Sequence, residues 1–504
     1  MPRLKILLPL IMLLLALPAP AQVSAQAQSG RPEAIPAPRR FPPLPPDPRQ
    51  DQLEPLPPLE DELWLHGGSY LYEPNGDRLN WPHPCSDEHY HVLRLPECWA
   101  APQPVTLFDD FLGTGPIPGG PHLHWPACGY DWDPRFVLYG AYQLFGIALE
   151  ADDRRQDLIG HQLFVEMDLQ LTGTERAHMQ WRPIGRRNTG GSYYQFSDPA
   201  GYVDNSTGIP ERYWIEGEVA SVLGGLIQDP FVPRDYHVVL GKYPLELHNR
   251  LLINDDILGL AINKNTIYAG NLSNMNLQVF FGLDDVDAFD DASADVYGIN
   301  AFVDYRRMFF ESTYAYLQHN RMSGRDAHYL AISATKPWGP ATLTGRALFK
   351  IGDQEDRGSG QLYVIECNRT RIYDDGLLGI EKGVYYATAF RATKGWNSIS
   401  GGNFDRLRVA FALDPLITIS ANPDPADNTG IALGVQFFRH HEDESLIPEF
   451  AFQAPTGTPV YGVGLRYQRK TGARSFFEIE GIGNFSDDPT FRREGVMVTE
   501  TIVF

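Results

Sequence analysis

An all-β fold, a closed antiparallel barrel of about sixteen strands within a range of about 14–18, is what this sequence predicts, and three observations predict it. Apolar and charged residues alternate singly over many short runs, as in a strand with one oily face and one wet face. Aromatics and glycine are abundant, with 24 Tyr, 27 Phe and 47 Gly among 504 residues, which favours strands and turns over helices. The final stretch, Gly495 to Phe504, is itself an alternating strand, with Val496, Val498, Ile502 and Phe504 on one face and Thr499 and Thr501 on the other. A strand that ends a chain needs a partner on both edges, and closing the sheet on itself supplies one.

Composition narrows the function classes. The formal charge is −21, from 63 acidic and 42 basic side chains, which excludes non-specific nucleic-acid binding and fits a cation-attracting surface or lumen. A mean hydropathy of −0.28 excludes a helical membrane protein. Taken in order, residues 1–25 read as a secretory signal peptide: Arg3 and Lys5 precede an apolar run from Ile6 to Leu17, and Ala19-Pro20-Ala21 or Val23-Ser24-Ala25 offers the cleavage site. Residues 26–62 are a proline-rich linker, as in Phe41-Pro42-Pro43-Leu44-Pro45-Pro46, because proline at this density resists both helix and sheet.

Residues 63–133 are irregular, a periplasmic or plug-like segment that contains His83, Cys85, His89, His91 and Cys98. Their spacing matches no common zinc module, and exported thiols oxidise, so a disulfide between Cys85 and Cys98 outweighs a metal site. Cys128 and Cys367 could form a second bridge, although four cysteines allow three pairings.

Residues 134–504 carry the strands. Phe136 to Leu149 suits a first strand. Between His161 and Thr172, Leu163, Val165, Met167, Leu169 and Leu171 oppose Glu166, Asp168 and Gln170. The same grammar sets Tyr213, Ile215 and Val219 against Trp214, Glu216 and Glu218, and Leu343, Ala347 and Phe349 against Thr342, Thr344, Arg346 and Lys350. It recurs at Tyr297 to Arg306, at Arg406 to Leu413 with Arg408 on the wet face, at Tyr461 to Gln468 with Arg466, and at Phe477 to Glu480 with Glu478. The oily rows are long and begin or end in aromatics. Connections come in two sizes: short ones such as Lys336 to Pro340 and Lys470 to Ala473, and long ones such as Gly185 to Pro210, Leu283 to Asp295 and Ala421 to Gly430.

Alternating strands with aromatic ends, finished by a strand and a terminal Phe, resemble the porin-like outer-membrane β-barrels of bacteria. Two departures stand out: Glu500 shares the oily face, and no aromatic stands near Ile502. The resemblance implies strands that cross the outer membrane, short turns in the periplasm, long loops outside and an aqueous lumen. It also implies outer-membrane lipid and small hydrophilic solutes as partners, and no cofactor. Porins of this kind are often homotrimers, on which no residue here bears.

Strand parity assigns Glu166, Asp168, Glu216, Glu218, Arg346, Lys350, Arg408, Arg466, Glu478 and Glu480 to the lumen. The stretch Leu240 to Arg250, running on through Asn254-Asp255-Asp256 to Gly259, interrupts the alternation and is similar to the inward-folded segment of porin and exporter barrels. If inside, Lys242, Glu246, Arg250, Asp255 and Asp256 would form a charge-selecting constriction; an ordinary hairpin with a polar loop is the alternative. The acidic run with Asp284, Asp285, Asp287, Asp290 and Asp291 has oxygens enough for calcium but no known spacing, so a solvated loop is preferred. His440 to Ser445 groups residues of hydrolytic type on a loop with no orienting partner, and no hydrolase or nucleotide-binding motif occurs, so no enzyme is expected. The reading is a diffusion pore. The alternatives are an outer-membrane anchor whose segment 63–133 binds cell wall or a partner, and a soluble secreted carbohydrate-binding β-protein.

Overall fold

The computed structural model describes residues 134–504 apart from 152–153, 171–174, 186–190, 220–235, 269, 271, 290–293, 322–323, 355–356, 374–376 and 402–426, together with strands at 123–125 and 130–132. All of these fall in one compact unit, Pro96–Phe504. The leader, the proline-rich linker, Cys85, Cys98, Cys128, Asp290, Asp291, Arg408 and the strand expected over Arg406 to Leu413 lie outside the described residues.

A small hairpin, β1 (Leu123–Trp125) with β2 (Tyr130–Trp132), forms its own two-stranded sheet. The barrel begins with β3 (Arg135–Ala151), β4 (Arg154–Gln170) and β5 (Arg176–Ile184). A side hairpin, β6 (Ser192–Gln195) and β7 (Gly201–Val203), pairs onto β4. The wall resumes with β8 (Arg212–Glu218), β9 (Tyr236–Leu247), β10 (Ile253–Lys264), β11 (Asn274–Asp284), β12 (Ala294–Tyr305), β13 (Met308–His319) and β14 (Ala327–Trp338). It continues through β15 (Ala341–Gly352), β16 (Gly360–Ile372), β17 (Lys382–Ala392), β18 (Asn428–Arg439), β19 (Glu444–Gln453), β20 (Val460–Lys470), β21 (Ser475–Ser486) and β22 (Arg493–Val503). Eighteen strands, β3 to β5 and β8 to β22, make a closed antiparallel barrel, the upper end of the expected range. The wall passes directly from β17 to β18.

Closure is made by the two ends of the strand-rich region. β22 pairs with β3 from Arg493↔Ala151 to Val503↔Ala141, and Gly140 and Phe504 exchange two backbone hydrogen bonds of 3.0 Å. On the last strand Val496 and Val498 are exposed, while Met497, Thr499 and Thr501 are buried, so the parity read from the sequence holds. Glu500, the odd residue of the oily face, lies near the end of the barrel and accepts a hydrogen bond of 2.6 Å from the Thr471 hydroxyl in the neighbouring turn. An interfacial turn gives that carboxylate a partner.

The same parity runs round the wall. Leu343, Ile351, Tyr363 and Ile365 are exposed on the outside, Ile365 at 60%, while Leu348, Lys350, Leu362 and Val364 on the alternate positions are buried inside. The connections divide as expected too. At the end where β3 begins and β22 finishes lie tight turns such as Arg306-Arg307, Gly339-Pro340 and 471–474; at the other end lie 185–211, 285–293 and 393–427. The exceptions are 152–153, short at the loop end, and 219–235, 265–273 and 373–381, long at the terminus end.

One hairpin leaves the wall. β9 and β10 pair with each other along their full length, from Lys264↔Tyr236 to Ile253↔Leu247. Yet β8 pairs β9 only as far as Lys242, and β11 pairs β10 only from Leu258 onward. Beyond that line, Tyr243 to Ile257 turns into the barrel. The bend falls at two glycines that face each other across the hairpin, Gly241 and Gly259. Gly241 has φ +134, and a Cβ on Gly259 would lie 1.8 Å from the Phe281 carbonyl oxygen, so only glycine fits there.

Gly259→Ala should therefore destabilise the barrel by on the order of 3 kcal/mol. The temperature at which folded protein converts to its slow-migrating gel form would fall, whereas Gly345→Ala, whose Cβ meets nothing within 4 Å, should leave it unchanged.

Candidate functional site

The inserted hairpin is amphipathic, and the inner wall matches it zone by zone. Tyr243, Leu245, Leu247, Ile253 and Ile257 share one face, all buried in a cluster with inward residues of the loop-end half of the wall, among them Ala315, Leu317, Tyr329, Leu348, Leu362 and Val364. Burial of each large side chain contributes about 1.5–3 kcal/mol. Nearer the terminus end the inward positions on the same strands turn polar: Thr313 after Ala315, Ser333 after Ala331, Arg346 after Leu348, Glu366 after Val364. The hairpin tip lands on that polar zone.

The tip, His248-Asn249-Arg250, holds three successive left-handed residues at φ 54, 57 and 66. The backbone N–H of His248 donates to Glu311 at 2.8 Å, and Asn249 Nδ2 donates to Glu366 at 3.0 Å. The His248 ring bridges two hydroxyls, with Nδ1 2.6 Å from Ser333 Oγ and Nε2 2.9 Å from Thr313 Oγ1. Arg346 Nη1 donates to Ser333 Oγ, and Thr313 Oγ1 donates to Asn300 Oδ1. Those two fixed ends assign the direction of the chain: the Ser333 hydroxyl donates to Nδ1, and Nε2–H donates to Thr313. A neutral imidazole is the form that fits, and burial, aided by the Arg346 charge, lowers the His248 pKa to about 3.

Asp255 ties the base of the insertion together. It is 3% exposed, and its Oδ2 accepts from Ser400 Oγ at 2.7 Å and from the Asp287 backbone N–H at 2.8 Å, while Oδ1 accepts from the Asp256 N–H at 2.8 Å. Three segments thereby meet at one carboxylate: the hairpin, the loop after β11 and the segment around Ser400. That last segment also replaces the sheet partner β10 gave up, through Ile399 N–H to Leu252, Asn254 N–H to Ser400 and a parallel bridge between Ile253 and Ser400.

On the other face of the hairpin Glu246 and Arg250 are exposed and paired at 2.5 Å, and Asp256, itself buried, accepts from Arg212 of β8 at 2.7 Å. Elsewhere on the inner wall each of two arginines meets two carboxylates. Arg176 pairs with Glu216 and lies 3.7 Å from Asp168, which also takes His178 at 2.7 Å and the Tyr139 hydroxyl at 3.0 Å. Arg466 lies 2.9 Å from Glu480 and 3.9 Å from Glu478, with the Tyr386–Glu449 hydrogen bond of 2.5 Å on the strands beside them.

Several residues expected at the constriction or on the lumen wall have other work. Lys242 stands at the hairpin base, 3.1 Å from Asp285. Lys350 is on the inward row, but at 1% exposure it is covered, its ammonium donating to Asn397. Asp255 is a buried fastener. Glu166 and Glu218 are partly exposed on the inward rows of β4 and β8. The calcium reading finds no support in Asp285 and Asp287, which serve Lys242 and Asp255, and no group able to hold a metal occurs among the described residues. Cys367 shares the outward parity of Tyr363 and Ile365 and has no disulfide partner among the described residues. Sequence reasoning met His248 only as part of the stretch Leu240 to Arg250 and missed Glu311, Ser333, Thr313 and Ser400, because a single polar residue carries no signal until a second segment meets it.

No known protein family and no curated protein matches the sequence. Solved structures of similar fold include OccAB3 of Acinetobacter baumannii (8% identity, 73% of this chain, 99% of that one, TM-score 0.48). Another is OccK2 (OpdF) of Pseudomonas aeruginosa, solved in complex with glucuronate (10% identity, 73% and 98% covered, TM-score 0.48). A third is Wzi, a carbohydrate-binding β-barrel involved in group 1 capsule assembly in Escherichia coli (8% identity, 72% and 84% covered, TM-score 0.44). The likeness is one of barrel fold, so function has to be argued from this chain's own geometry.

Asp255→Ala leaves three donors, two of them buried, without their acceptor and should cost on the order of 3 kcal/mol. Limited proteolysis within 243–257 of the folded protein would then become detectable. Acid should loosen the tip as well. His248 binds a proton more readily in the released hairpin, near its ordinary 6.5, than when docked, near 3. Docking is therefore at full strength above about pH 6.5 and weakens as pH falls, by at most about 1.4 kcal/mol per unit. Proteolysis of the hairpin should rise between pH 7 and pH 5, and a His248→Gln variant should lose that dependence.

Proposed function

We propose that the protein is an outer-membrane channel for passive diffusion of small hydrophilic solutes, with a preference for cations. The observation that carries this reading is the pairing of a closed barrel with an inserted hairpin whose exposed face bears Glu246 and Arg250. Closure leaves no strand edge unpaired, as crossing a bilayer requires, and eighteen strands enclose room for water as well as a hairpin. An outer face set with exposed Ile215, Leu240, Ile332, Ile365 and Leu465 is suited to hydrocarbon and ill suited to water, which disfavours a soluble secreted protein. The leader read at residues 1–25 supports export.

The cation preference rests on the inner wall. Arg176 and Arg466 are each outnumbered by carboxylates, Asp168 with Glu216 and Glu478 with Glu480, so the local field favours positive solutes. Glu246 and Arg250 form an opposed pair on the hairpin, and removal of either should tilt selectivity in its own direction.

Purified full-length protein in a planar bilayer should give stepwise conductance, with a potassium over chloride permeability ratio above one. Glu246→Gln should lower that ratio and Arg250→Gln raise it, each by roughly twofold. A silent membrane, or two variants that move the ratio the same way, would sink the proposal.

A further inference from the structure

At the terminus end of the barrel the outer face carries cations laid on aromatic rings. Trp338, Ala341, Arg369 and Tyr385 are successive cross-strand partners on β14 to β17, so they form one transverse row on the outside of the wall. Trp338 is 79% exposed and Tyr385 39%. Two positions beyond Arg369 on the same strand face is Arg371, whose guanidinium lies 5.1 Å over the Tyr373 ring, and the Tyr373 and Tyr385 hydroxyls are hydrogen-bonded to each other. Lys336 adjoins the row on β14, and Lys336, Arg369 and Arg371 are all exposed. The motif recurs along the rim at Arg306, 5.0 Å over Tyr305, and at Lys264, 4.8 Å over Tyr236.

None of these basic groups has an ion pair among the described residues, in contrast to Arg176, Arg212, Arg346 and Arg466 inside the barrel. In a chain of net charge −21, where carboxylates are plentiful, a row of unmatched cations facing outward needs an anion from elsewhere. Aromatic rings belong at the level where hydrocarbon gives way to headgroups. A guanidinium beside them, with its fork of donors unused, meets a phosphate there.

We propose that this patch binds the headgroup phosphate of anionic phospholipid. Arg369 and Arg371 hold the phosphodiester oxygens, Lys336 adds charge, and Trp338 and Tyr385 pack against the glycerol and the first acyl carbons. The inference rests on the membrane reading above, but not on conduction.

The test is native mass spectrometry of the full-length, detergent-folded protein with equal amounts of phosphatidylglycerol and phosphatidylcholine. Phosphatidylglycerol should be retained several-fold in excess, and Arg369→Gln with Arg371→Gln should cut that excess by about threefold or more. Arg391→Gln, an exposed outward arginine at the other end of β17, should leave it unchanged. Should the double variant not fold, the wild-type protein still decides, because the excess should collapse when lipid is exchanged at high salt. Equal retention of the two lipids, an excess indifferent to salt, or an undiminished excess in the folded double variant overturns the proposal. A preserved lipid excess in a protein that fails to conduct would count against the channel alone; retention of neither lipid by a protein soluble without detergent would overturn the membrane reading together with the patch.

Discussion

The need of every backbone N–H and C=O for a partner governs this structure more than any side chain does. A sheet of this size has two costly edges unless its first and last strands meet, and here β3 and β22 meet down to the hydrogen bonds between Gly140 and Phe504. Closure then forces each strand to have an inside and an outside. The oily rows go out, and the fold must find something to do with a large interior.

What fills that interior obeys the same rule. When β9 and β10 leave the wall they abandon β8 and β11, and the exposed edge of β10 is paired again by the segment around Ser400. Departure from the wall is a steric matter as well, since two facing glycines let the backbones of neighbouring strands come closer than any Cβ would allow. The insertion holds because its oily face meets the oily half of the inner wall and its polar tip meets the polar half, with Asp255 and His248 as fasteners at base and tip.

Charge is divided by position. Inside, Arg176 and Arg466 are each set against two carboxylates, which ties neighbouring strands together. Outside, at the terminus end, cations stand over aromatic rings with no carboxylate paired to them among the described residues. The net charge of −21 conceals this separation, because a sum over the chain carries no information about which face a residue occupies.

By itself the sequence determined the fold class and, on the strands where apolar and polar residues alternate cleanly, which residues share a face. A period of two is a local property, so Val496 and Thr499, or Leu343 and Arg346, could be assigned without any partner in view. The hairpin stood out as a break in that period, although its destination did not. Only the tertiary structure decided that Lys350 and Asp255 are covered, and that Ser333, Thr313 and Ser400 are contact points for the insertion. It also decided that the inner wall has an oily half, a feature that parity cannot reveal because parity distinguishes faces and not depth. Those outcomes depend on which segment arrives from far along the chain, and such meetings are set by packing and by the demand for hydrogen-bond partners across the whole barrel.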